Sequence, residues 1–112
     1  MMTTKEFTIF KNLLQEVHFK AFGEPLAALP HGKAQALSCF IEEETGQLLS
    51  YKTLGNYASA ALDGQPGRIN PTPTTLAILI RFVRNQSAGN DQLVWYRYRS
   101  AQLQQPGWAV AC

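Results

Sequence analysis

Residues 33–83 read as three helices in a row, and the first two are joined by Thr45-Gly46-Gln47-Leu48-Leu49-Ser50. Glycine takes the left-handed backbone conformation needed just past a helix end. Serine accepts a hydrogen bond from an orphan backbone N–H at the start of the next helix. A glycine stop, two apolar residues and a capping serine are how a helix-turn-helix looks in sequence. The same geometry serves DNA-reading domains and protein-binding bundles, so the motif constrains the fold more tightly than the role.

The flanks extend the helical pattern. Phe7, Phe10, Leu14, Val17 and Ala21 recur at helical spacing over residues 4–21, with Thr3 or Thr4 as cap and Gly23 and Pro25 as stop. Phe19 and Phe22 lie off that stripe, so this long first helix is expected to be covered on more than one side. Pro25, Pro30 and Gly32 make the next stretch a connector. The helix at 33–45 places Ala34, Leu37, Phe40 and Ile41 inward, with Glu42, Glu43 and Glu44 at its negative end. Cys39, within it, reads as a small buried residue. The helix at 50–62 buries Leu54, Tyr57 or Ala58, and Ala61, leaving Tyr51, Lys52, Gly55, Asn56 and Ser59 outside. After a turn-rich loop at 63–71, Thr72 caps a fourth helix with Pro73 at its first position. Leu76, Ile78, Leu79, Ile80, Phe82 and Val83 make that helix apolar nearly all round, and therefore central. A polar loop at 85–92 precedes a last element at 93–103, which Asn90 or Asp91 can cap. Its Val-Trp-Tyr-Arg-Tyr-Arg alternation favours a strand, but no partner strand is evident and the later residues favour helix, so a helix is expected. Residues 106–112 form a tail whose Trp108 is available to fold back on the bundle. The fold class expected is all-α: one domain at 1–105, an orthogonal bundle of four or five helices with the helix-turn-helix at 33–62.

Composition narrows the role by exclusion. With 112 residues, 46% of them hydrophobic and 16% charged, the chain is globular and large enough for a core without staples. Net charge is +2, but its distribution is uneven. Residues 41–64 carry −3, whereas 65–112 carry +4 and hold every arginine. Two cysteines are too few for a disulfide framework. The N-terminus lacks an apolar signal core and the apolar run at 76–80 is too short to span a membrane, so a cytoplasmic protein is expected. His18, His31, Cys39 and Cys112 form no metal-ligand spacing, and no nucleophile-base pattern or phosphate-binding glycine loop is present. The expectation is a non-enzyme without cofactor or metal.

Two candidate sites follow. In a helix-turn-helix the first residues of the second helix, and those one turn on, point into the major groove. Here these are Ser50, Tyr51, Lys52, Asn56 and Ser59. Asparagine pairs with adenine edges, and lysine reaches guanine or a phosphate. The bland reading is that Lys52 and Asn56 are ordinary solvent-facing residues. The second candidate is Trp95-Tyr96-Arg97-Tyr98-Arg99, where Arg97 and Arg99 stand between aromatics that stack on bases, anchor an interface or close the core.

The pattern Leu37-Ser38-x-x-Ile41-x-x-x-Thr45-Gly46-x-x-Leu49-Ser50-x-x-Thr53-Leu54, followed by the Pro73 and Leu76 helix, resembles the lambda-repressor-like group of helix-turn-helix domains over residues 33–84. The resemblance implies that Thr45-Gly46 ends the first motif helix, Ser50 caps the recognition helix and Leu54 anchors it. The turn is one or two residues longer than that group's, and the recognition helix lacks its run of Gln, Arg and Ser. The stretch from Leu49 to Tyr57, with Asn70-Pro71-Thr72 and the later Trp-Tyr-Arg-Tyr run, also resembles uncharacterised small helical proteins of Bacteroidetes-type bacteria. Two functions are consistent with this reading. One is a small regulator of transcription that binds double-stranded DNA, for which a homodimer is expected because one reading helix specifies little alone. The other is a protein-interaction or adaptor module in a bacterial signalling or defence complex, favoured by the acidic 41–64 region and the long first helix.

Overall fold

The computed structural model describes residues 2–84 and 89–104, with the backbone alone at Gln104. The tail at 106–112, with Trp108 and Cys112, lies outside these residues. Five α-helices follow in chain order: α1 Thr4–Phe22, α2 His31–Thr45, α3 Tyr51–Asp63, α4 Pro73–Val83 and α5 Asp91–Gln104. A 3-10 turn at Pro66–Arg68 lies between α3 and α4, and no strand occurs among the described residues.

Local chemistry sets the helix ends. Thr3 Oγ1 accepts from the Glu6 N–H while the Glu6 carboxylate accepts from the Thr3 N–H, a reciprocal capping box. Ser50 Oγ accepts from the Lys52 N–H at 3.2 Å, and Thr72 Oγ1 from the Thr75 N–H at 3.2 Å with Pro73 at N1. Asn90, of the two candidates, caps α5, its side-chain oxygen accepting from the Leu93 N–H at 2.8 Å. At the other end of α2, Gly46 stands at φ +73° and its N–H bonds to the Glu42 carbonyl. That conformation is strained for any residue with a Cβ, which is why the helix stops here.

The helix α4 is the centre, as its sequence indicated: Leu76, Ala77, Ile78, Leu79, Ile80 and Phe82 are all buried, and α1, α2 and α5 pack on it. Phe10, Leu13 and Val17 of α1, Leu37 and Ile41 of α2, Leu54 of α3, and Val94 and Tyr98 of α5 complete the core. Phe10 and Tyr57 meet edge to face, with centroids 5.3 Å apart, and join α1 to α3. The alternating Val94–Arg99 stretch is helical because Val94 and Tyr98, four residues apart, fall on one face and cover α4.

Two expectations on α2 fail. Its buried face is Ala34, Leu37, Ser38 and Ile41, so Ser38 takes an inward position while Phe40 is 38% exposed and Cys39 is exposed. The cause is the connection to α3. Residues 46–50 fold back along α2, and Ser38 Oγ donates to the Leu49 carbonyl at 2.5 Å, satisfying a carbonyl that Leu49's burial removes from water. The wheel is turned to admit that bond, and Phe40 is turned out.

Candidate nucleic-acid interface

The fold-back of residues 46–50 brings the start of α3 beside the start of α2. The His31 and Tyr51 rings, each the first residue of its helix, meet edge to face with centroids 4.8 Å apart. Two helix N-termini therefore converge, and each carries a partial positive charge. Ser50 satisfies one N–H of α3, whereas Pro30 supplies no side-chain cap to α2, whose first residues His31, Gly32 and Lys33 are exposed. One lysine, Lys52, reinforces the field. Lys52 is exposed and makes no ion pair among the described residues, while Lys33 bonds to Glu24, whose carboxyl it holds below the usual range through that bond and its charge.

A polar line runs down α3 from this corner. Lys52, Asn56, Ser59 and Asp63 are spaced by four, three and four residues, which puts them on one helical face. Lys52 and Asn56 are exposed; Ser59, expected outside, is half-buried. The 3-10 turn adds a residue that sequence spacing did not place there. Arg68 donates from Nη2 to Ser59 Oγ at 3.0 Å and pairs with Asp63 at 2.8 Å. His31 and Arg68 are thus the site residues missed in sequence. Their available signals were an uncapped helix start after Pro30 and a cation in a turn one helix end away.

Arg97 and Arg99 lie on α5, which packs on α4 and α1, whereas α3 packs mainly on α2. Arg99 pairs with Glu6 at 3.5 Å and stacks on the Tyr96 ring, and Tyr98 is buried with its hydroxyl donating to Glu16. Burial, then that hydrogen bond and the Glu16 charge, push the Tyr98 hydroxyl well above its ordinary pKa. Arg81 and Arg84 likewise meet Asp91 and Glu16, at 3.0 and 2.8 Å. With Arg68, four of the five arginines are thus partnered by carboxylates of the chain itself.

Among the described residues, no three His, Cys, Asp or Glu side chains cluster as metal ligands, and no helix is long and apolar enough to cross a membrane. No protein-family model, curated protein or solved structure matches the chain.

Proposed function

We propose that this protein is a small, non-enzymatic regulator that binds double-stranded DNA, with α2 and α3 as the helix-turn-helix and α3 in the major groove. The observation that supports this reading is the convergence of the α2 and α3 N-termini at His31 and Tyr51. Backbone N–H groups and dipole ends there offer a phosphate site at the rim of the groove. Lys52 and Asn56 then face the base edges. Because phosphate neutralisation supplies most non-specific affinity, and most arginines are internally paired, a single domain binds weakly and a homodimer on two half-sites is expected.

A fluorescence titration on a mixed-sequence duplex at low ionic strength tests this reading. Lys52→Glu should abolish binding, and Asn56→Ala should flatten base preference by about 1–3 kcal/mol. Neither exposed change should shift thermal stability by more than about 0.5 kcal/mol. Affinity should also fall steeply with salt. No binding at tens of micromolar, or binding indifferent to Lys52, removes the role of α3.

A further inference from the structure

The other end of α2 has the opposite character. There the last turns of α2, ending at Thr45, and of α4, ending at Val83, meet the Lys20 side chain from the last turn of α1, while the end of α1 itself, at Phe22, lies against Lys33 and Phe40 of α2. Lys20 ties them together, donating to the Phe82 carbonyl and pairing with Glu44 at 3.2 Å. Each helix end contributes partial negative charge, and Glu42, Glu43 and Glu44 add three exposed carboxylates. Glu42 and Glu43 make no ion pair among the described residues.

The same end exposes apolar surface. Phe19 is 66% exposed and Phe40 38% exposed. Two adjoining grooves, of about 510 and about 230 Å³, flank Lys20; Phe19 and Val83 line the first, Phe40 and Phe82 the second. Contiguous exposed apolar surface, unlike apolar residues scattered singly, marks sites of interaction.

We propose that this end of the bundle is a docking surface for a cationic amphipathic helix of another protein. One apolar anchor of such a helix fills the second groove between Phe40 and Phe82, and the next lies along the Phe19–Val83 edge of the first, whose remaining lining (Asn12, Gln15, Glu16, Gln102) meets its polar flank. Its lysines or arginines meet Glu43, which lines the second groove, and the ends of α2 and α4. Lys20 already shows what an ammonium finds here: a helix-terminal carbonyl, a carboxylate and the Phe82 ring 4.8 Å away. The carboxylate rim repels nucleic acid and anionic lipid. No strand is present among the described residues to extend a partner by β-pairing. The assignment is independent of DNA binding, because Phe40 and Glu43 lie nine and twelve residues from His31 along α2, roughly 14 and 18 Å at 1.5 Å per residue.

The test is an amide NMR titration of the full chain with a helical peptide of leucine and lysine, roughly 20 residues long. A counterpart with glutamate for lysine serves as control. The lysine peptide should shift the amides of Phe19, Lys20, Phe40 and Glu43 and bind at least about tenfold tighter than the glutamate peptide. Glu43→Lys should weaken it by about threefold to tenfold at low salt. Phe40→Ala should weaken both peptides and, because its ring packs on Phe22, lower the thermal midpoint modestly without loss of helical circular dichroism at about 25 °C. Equal binding of the two peptides overturns the cationic partner, and shifts elsewhere or none overturn the surface itself. Self-association of the protein through these amides assigns the surface to a second copy and overturns the foreign partner. A duplex titration on the same samples reads the α3 hypothesis separately.

Discussion

The two ends of α2 face the same solvent with opposite fields. At its start the α2 and α3 N-termini meet with His31 and Lys52 around them, while Lys33 is paired with Glu24. At its finish the last turns of α2 and α4 meet with Glu42, Glu43 and Glu44, and Lys20 from α1 stands as their internal counter-ion. A net charge of +2 conceals this division. The arginines add little to the positive end, since those at 68, 81, 84 and 99 are paired with carboxylates. Exposed pairs of this kind stabilise the fold by only about 0–1 kcal/mol each, yet they remove the cations that phosphate binding draws on. Helix orientation, more than side-chain composition, separates the two ends.

The comparison breaks most visibly if the ends do not share one core. Phe10 is fully buried and joins α1 to α3 through Tyr57. Phe10→Ala should cost about 3–5 kcal/mol by lost burial and a cavity, lowering the denaturation midpoint and abolishing duplex and peptide binding together. A variant that keeps one activity at full strength while losing the fold by circular dichroism would contradict a common core.

Ser38→Ala should sharpen the division. It leaves the buried Leu49 carbonyl without its partner, at a cost of about 1–3 kcal/mol. It also releases the strap that holds the start of α3 beside the start of α2. Duplex affinity should fall while the lysine peptide still binds the other end with unchanged affinity; equal losses in the two titrations would show that the ends are not separable.

The smallest effect is a pH dependence arising from His18. Its ring is buried against Phe22, and its Nε2 has no hydrogen-bond partner among the described residues. Burial, then the Lys33 charge, lower its pKa from the usual 6.5, with Glu24 acting weakly the other way. The unfolded chain therefore binds the proton first, and stability rises with pH over that interval. Stability should be full above about pH 7 and decline as pH falls through 6.5 toward the lowered folded-state value. His18→Leu should flatten urea-denaturation midpoints measured across this range; an unchanged slope would place the titrating group elsewhere.

Much of the fold was legible because helix ends are written locally. Thr3, Ser50 and Thr72 each accept from an N–H within three residues, so sequence locates these starts, the first to within the choice of Thr3 or Thr4. Glycines 23, 46 and 64 mark stops by the same local logic. The all-round apolar α4 announced its burial. The face of α2 was not legible, since hydrophobicity favoured Phe40 over Ser38, and the Leu49 carbonyl that reverses the choice arrives only when residues 46–50 fold back. Of the candidate site, Lys52 and Asn56 were readable from helical spacing, whereas Arg68 joined them through a 3-10 turn and Arg97 and Arg99 were drawn to α5. The sequence by itself determined where the side-chain-capped helices begin, because caps act over one turn, but it set the uncapped start of α2 two residues late. Which helix ends meet, and hence where positive and negative fields accumulate, was decided by tertiary packing, because dipoles and ion pairs add across distances that no local pattern encodes.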